Sequence, residues 1–254
     1  MHMKIRTLTI GISAFLVIAA GLTSAQVAKA SDLPTTNWNG NVAFGLSLAR
    51  GNANTFLMNA SALLQRTWEH DELKFGADGQ YGINNWAQTN STKSADNLHG
   101  FIDYKRLFTD RFYGDANIDG YHDDLADIRY RLIVGPAIGY YFIKSDATKL
   151  NLEIGPSFLD EKLGSNTLSY VTMHVTERCE HQLTKGSKIW EEVDYYPQID
   201  KFDNYLVNSE VGAEAALNTR LSLRIVGRDQ FNSMAAAGRK ENDITLISAL
   251  VYKY

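Results

Sequence analysis

From Trp38 onward the chain alternates. Trp38, Val42, Phe44, Leu46 and Leu48 share one parity, while Asn37, Asn39, Asn41 and Ser47, with small Ala43 and Gly45, share the other. A period of two belongs to a strand with one apolar face. The pattern recurs. Phe56, Met58, Ala60, Ala62 and Leu64 oppose Asn59, Ser61 and Gln65, with Leu57 and Leu63 breaking the alternation. Leu73, Phe75, Ala77, Tyr81 and Ile83 oppose Lys74, Asp78, Gln80 and Asn84. Leu98, Ile102, Tyr104 and Phe108 oppose Asn97, His99, Asp103 and Lys105, and Phe112, Ala116 and Ile118 oppose Asp115, Asn117 and Asp119. Tyr130 to Phe142, Leu150 to Phe158, Val171 to Val175, Val207 to Leu217 and Leu221 to Ile225 repeat it. The segment from Lys188 to Pro197 is weakest, because Glu191 and Glu192 fall on opposite parities. With the last strand this makes about twelve, an even number, as a single-chain bacterial barrel requires. A helical i, i+3, i+4 pattern is not sustained in any window, and glycines inside the apolar runs also disfavour helices.

The last strand is Ile244 to Tyr254. Ile244, Leu246, Leu250, Tyr252 and Tyr254 share a parity broken only by Ser248. Taken alone it could end a soluble sandwich. A terminal amphipathic strand closing on an aromatic also resembles the assembly signal of outer-membrane barrels, which makes Tyr252 and Tyr254 that signal and the barrel-assembly machinery a partner.

Connections decide between the two. The odd ones centre on 50–54, 85–95, 123–127, 160–166, 199–204 and 232–242, and most are longer. The even ones centre on 69–71, 109–111, 144–148, 184–187 and 218–220, and all are short. Outer-membrane barrels have long external loops, short periplasmic turns and both termini in the periplasm. Aromatics gather where the two rims should be. Trp38, Trp68, Phe108, Phe112, Phe142, Trp190 and Tyr254 belong to the periplasmic rim, and Trp86, Tyr130, Tyr195 and Tyr205 to the outer one. The expected fold is an all-β, transmembrane, antiparallel up-and-down barrel of about twelve strands.

Residues 1–30 read as a secretory signal: Lys4 and Arg6, an apolar run from Ile10 to Leu22, then Ala28-Lys29-Ala30 before Ser31, with cleavage after Ala25 as an alternative. The run is too short to span a bilayer as a helix. Residues 31–254 then form one barrel domain. Without Lys4, Arg6 and Lys29 the exported chain keeps 22 of its 25 basic residues against 29 acidic ones, a formal charge of −7. That argues against nucleic acid as a partner. The single Cys179 excludes an internal disulfide.

The stretches WNGNVAFGLSLARGNANT, RYRLIVGPAIGYYF with LNLEIGPSFL, and YYPQIDKFDNY resemble the DUF481 family of salt-induced outer-membrane proteins. The likeness covers nearly all of the exported chain. It implies an outer-membrane barrel and carries no catalytic residues.

Candidate chemistry is sparse. No phosphate loop and no cysteine pairs point to a cofactor or a metal. Gly135-Pro136 and Gly155-Pro156 should face each other on neighbouring strands, as a bend in the wall or a weak point. His122-Asp123-Asp124 at the outer rim would need an opposing acid–histidine pair, for which His99 is the nearby candidate. His181, two residues from Cys179, reads as an interfacial residue facing lipid. The outer acids Asp123, Asp124, Asp127, Asp160, Glu161, Asp200, Asp203 and Glu241 would either bind divalent cations, including those that bridge lipopolysaccharide, or stay solvated. The inward parity carries Lys74, Asp78, Asp103, Lys105, Asp115, Asp119, Arg131, Glu153, Arg178, Glu210, Glu214, Arg224 and Arg228. These either pair and plug the lumen or line a narrow pore. Three functions follow: a narrow channel tied to salt, osmotic or envelope stress; a plugged structural barrel binding lipopolysaccharide; and a rim hydrolase built on His122. The expectation is a non-enzymatic barrel in the outer membrane, in contact with lipid and lipopolysaccharide.

Overall fold

In the computed structural model, which describes residues 38–50, 54–86 and 89–254, every described element is a strand. They are β1 (Trp38–Ala49), β2 (Thr55–Thr67), β3 (Asp71–Asn84), β4 (Thr92–Leu107), β5 (Phe112–Asp123), β6 (Ile128–Lys144), β7 (Thr148–Leu163), β8 (Asn166–Thr184), β9 (Ser187–Gln198), β10 (Lys201–Ala216), β11 (Leu221–Asn232) and β12 (Asn242–Lys253). Each pairs antiparallel with its sequence neighbour, and β1 pairs with β12, so the sheet closes into a barrel. The segment expected to be a signal, 1–30, lies outside the described residues.

Alternation sets which face each side chain takes. Along β7, Asn151, Glu153, Ser157, Leu159 and Glu161 are buried within the barrel, while Leu152, Ile154 and Phe158 are exposed outside. The distribution is inverted relative to a soluble protein. Leu246 is 73% exposed and Leu98 60%, yet the inward Glu161 is 2% exposed and Glu214 4%. An apolar outer surface of this extent is far beyond the patches that water-soluble monomers carry. It suits hydrocarbon, where a closed ladder also satisfies the backbone.

The hairpins are tighter than the connection lengths expected. β7 and β8 run to Leu163 and from Asn166, so their turn is only 164–165, and β9 and β10 are joined by 199–200. Gly164 takes the left-handed φ of +59° that this turn needs. The contrast between long and short connections is therefore weaker than expected. It rests on 85–91 and 233–241.

The two Gly-Pro pairs do meet. Register between β6 and β7 runs from Ile128↔Leu163 to Val134↔Phe158 and resumes at Ile138↔Ile154. The interval between holds Gly135, Pro136, Gly155 and Pro156. A Cβ on Gly135 would come within 2.3 Å of the Pro156 carbonyl oxygen, and one on Gly155 within 2.0 Å of that of Pro136. The glycines, with no Cβ, let the backbones approach this closely, and the prolines, with no N–H, interrupt the ladder.

The β1–β12 seam is the shortest pairing, from Asn41↔Lys253 to Phe44↔Leu250. Its lower end is fastened by Tyr254, whose N–H donates to the Gly40 carbonyl at 3.1 Å while the Gly40 N–H donates to the Tyr254 carbonyl at 3.3 Å. The Tyr254 ring fills the place that a Cβ on Gly40 would need. Deleting Tyr254 should lower the urea midpoint of the refolded barrel, and Tyr254→Leu, which keeps both backbone bonds, should lower it less. Equal midpoints for the deletion and the full chain would show that the seam does not depend on this residue.

Candidate functional site: the lumen

The inward face concentrates the polar chemistry. Midway along the barrel a chain of charged groups crosses it. His99 on β4 sits between Asp78 of β3, at 3.0 Å from Nδ1, and Asp119 of β5, at 2.6 Å from Nε2. Arg228 of β11 donates from one side to Asp78 at 2.7 Å and from the other to Glu210 at 2.8 Å. Trp190 Nε1 then donates to Glu210 at 2.7 Å. Around the wall, β2, β1 and β12 lie between β3 and β11, so the Asp78–Arg228 bond is a chord through the lumen. The chain is not dry: the Asp78 side chain is 16% exposed and that of Arg228 30%.

Toward the end that holds the C-terminus lies a second group. Lys105 Nζ donates to Glu153 at 2.9 Å, Tyr113 donates its hydroxyl to the same oxygen at 2.7 Å, and Asn151 donates to the Tyr113 oxygen at 2.8 Å. The Lys105 ammonium also lies 4.2 Å from the Tyr113 ring centre, within cation–π range. Lys74 pairs with Glu72 at 2.7 Å. Further around this end, Glu214 takes Arg224 at 2.8 Å and Lys253 at 2.5 Å, and Arg178 pairs with Glu192.

Toward the outer ends of β6 to β10 the lumen is packed. Ile133, Leu159, Tyr196 and Leu206 form an internal apolar cluster with Tyr170 against it. His174 stacks on Tyr196 with ring centres 4.5 Å apart. Arg131 pairs with Glu161: its Nε donates to Oε2 at 2.8 Å, and its Nη2 lies 2.7 Å from the same oxygen. At the outer mouth Ala236, from the β11–β12 connection, is buried on Ile128 and Leu163. A cavity of about 30 Å³ remains there, bordered by Tyr121, Arg131, Gln230 and Asp243.

All thirteen charged residues assigned to the lumen by parity, from Lys74 to Arg228, take the inward face or its rim. Parity also puts Asn151 and His174 on this face; what it did not reveal is the aromatic set that organises the charges: Tyr113, Trp190 and Tyr196. Two of these have a register signature. Tyr113 pairs with Gly139 and Trp190 with Gly212, and each ring occupies the space a Cβ on its glycine would take. An inward aromatic opposite an inward glycine therefore marks a ring lying flat on the wall.

Three expectations change. Trp190 is not a rim aromatic. It is 8% exposed and turned inward, because Ile189, Glu191 and Val193 take the outer parity and Gly212 leaves room for the indole. Asp160, Glu161 and Asp203 are not loop acids, because β7 and β10 include them, and Arg131 holds Glu161 inside. His122 and Asp123 do not form a dyad. Asp123 caps the backbone N–H groups of Leu125 and Ala126 and accepts from Tyr121, while His122 Nδ1 lies 3.0 Å from the Arg129 carbonyl oxygen. Of the other outer acids, Asp124 is bound by Lys93 at 2.8 Å, and that ammonium holds its carboxyl below the usual range. His181 meets Thr148 at 2.8 Å, and Tyr252 points outward on the seam strand.

A closed antiparallel barrel with an apolar exterior and a charged, partly filled lumen defines an outer-membrane-type β-barrel. The chain belongs to the DUF481 family, proteins of unknown function, whose model matches residues 42–254. No curated protein matches it. Among solved structures it is similar to the COG4313 outer membrane channel from Pseudomonas putida F1, at 12% identity over 90% of this chain and 100% of that one, with a TM-score of 0.49. It is similar also to the NanC porin, at 7% identity over 85% and 96% with a TM-score of 0.47. The translocator domain of the autotransporter NalP from Neisseria meningitidis matches at 12% identity over 85% and 86%, with a TM-score of 0.44.

Lys105 and Glu153 are each 9% exposed at the side chain. Lys105→Met leaves the Glu153 carboxylate without its counter-charge and should cost about 3–5 kcal/mol in a urea titration. Adding Glu153→Gln should recover most of that loss. A single variant as stable as the parent would mean the pair is not held as described.

Proposed function

We propose that the protein is an outer-membrane barrel that passes ions or small solutes through a narrow, charged lumen. The observation that carries this reading is the set of ionised inward side chains that stays solvated below the packed cluster. From Asp78 to the Arg178–Glu192 pair these side chains are 16–43% exposed, whereas Leu159 and Thr172, nearer the outer ends of β7 and β8, are fully buried. Water therefore reaches these charges, and the Asp78–Arg228 chord is the constriction. A pore lined by fixed charges of both signs selects by field as well as by width. The apolar exterior supports a place in the bilayer. Residues 1–30 would direct export, and the Tyr252–Tyr254 end would be read by the assembly machinery. The family resemblance supports a tie to salt or osmotic conditions.

A second reading, a filled barrel whose outside contacts lipopolysaccharide, draws on Ala236 seated over the outer mouth and on the fully buried inward residues.

Planar-bilayer recording separates the two. The channel reading expects small discrete steps from the refolded chain and larger steps from Arg228→Ser, which removes the chord. Silence from both, in preparations whose heat-shifted gel mobility shows folded barrel, would favour the filled barrel.

A further inference from the structure

Four carboxylates and two ammonium groups share the lumen wall near the C-terminal end: Glu72, Asp103, Asp115 and Glu153 with Lys74 and Lys105. Lys74 is bonded to Glu72 and Lys105 to Glu153. Asp103 and Asp115 are left over. Register places Asp103 opposite Asn117 and Lys105 opposite Asp115, so the two aspartates are diagonal neighbours on the same inward face. Neither forms a hydrogen bond or an ion pair. Asp115 is 6% exposed and its Oδ2 is buried with no partner, and Oδ1 of Asp103 is likewise buried and unpartnered. Lys149, further down β7, faces Glu180 in register and forms no bond to either aspartate.

Two neighbouring carboxylates, Asp115 buried and Asp103 half-buried, are costly unless a proton or a cation neutralises them. The lysines opposite them in register, Lys74 on Asp103 and Lys105 on Asp115, are bonded instead to Glu72 and Glu153. We propose that Asp103 and Asp115 bind a small divalent inorganic cation in the lumen. Among the described residues no group of three or more His, Cys, Asp or Glu is arranged to hold a metal. The ion therefore keeps several waters and takes its protein ligands from two carboxylates, as Mg²⁺ commonly does. The site deepens the channel reading, since it would place a divalent cation on the ion path. It relies on that reading only for water access from the end where Glu72 and Lys74 are 23% and 29% exposed.

The test measures binding rather than conductance, so it is decided even if the lumen does not conduct. Tb³⁺ is titrated into the refolded full barrel and excited through tyrosine, with Tyr113 two residues from Asp115 on the same face. Saturable luminescence that Mg²⁺ or Ca²⁺ displaces is expected. Asp103→Asn with Asp115→Asn should weaken Tb³⁺ by at least about tenfold. Asp200→Asn with Asp203→Asn, at the outer tip of the β9–β10 hairpin, should not. Because the asparagines remove unpaired charge, the double variant should also melt higher than the parent in chelator, and added Mg²⁺ should raise only the parent. Unchanged Tb³⁺ affinity in the double variant, or a folded parent that binds no Tb³⁺, would overturn the proposal; the second outcome would mean that the pair is neutralised by protons.

Discussion

Every backbone N–H and C=O of the wall has to find its partner inside the ladder, because hydrocarbon offers none. That constraint closes the sheet, and closure makes each side chain choose between two environments. Odd and even positions of a strand cannot both face lipid, so apolar residues go outward and the costs of burying charge fall on the lumen. The rest of the structure follows from how those costs are met. Most lumen charges meet an opposite charge: Lys105 meets Glu153, Arg131 meets Glu161, and Arg228 meets both Asp78 and Glu210. The least secure place in the ladder is the β1–β12 seam, where pairing is shortest and the last residue completes it.

Filling the lumen is a separate problem from closing it. Twelve strands enclose more space than the small barrels whose side chains fill the interior, and less than open porins. Here the two solutions coexist. The outer ends of β6 to β10 carry a small apolar core of Ile133, Leu159, Tyr196 and Leu206, with His174 stacked against it. Below it, long charged side chains reach across and stay partly exposed. In the channel proposed above, such filling would narrow the path without removing it and would place fixed charge where a passing ion loses its water. Among the described residues, Asp103 and Asp115 there leave carboxylate oxygens buried without a hydrogen-bond partner.

The strands were legible in the sequence because alternation is a direct record of the two-sided wall. All twelve lie where the parity pattern places them, including the weak one around Glu191 and Glu192. There the irregularity has a cause: Glu192 meets Arg178 inside and Glu191 sits outside opposite Cys179. Turn lengths were less legible, since β7 and β8 keep pairing beyond the residues that looked like a loop. Inward apolar residues such as Leu159 and Leu206 carry the wrong polarity for a wet lumen, and only the packed cluster they form explains them. The crossing contacts were out of reach altogether. Asp78 and Arg228 are 150 residues apart, and no local pattern says that a barrel will bring them together.

The central claim is that one parity of the wall meets lipid and the other meets a water-accessible charged lumen. Spin labels placed one at a time along β11 from Leu223 to Arg228, in a Cys179→Ser background and in liposomes, test it most directly. The account predicts an alternation of period two, with oxygen collisions highest at Leu223 and Ile225 and a polar nickel reagent reaching Arg224 and Arg228 best. Equal access of the polar reagent to both parities would contradict it.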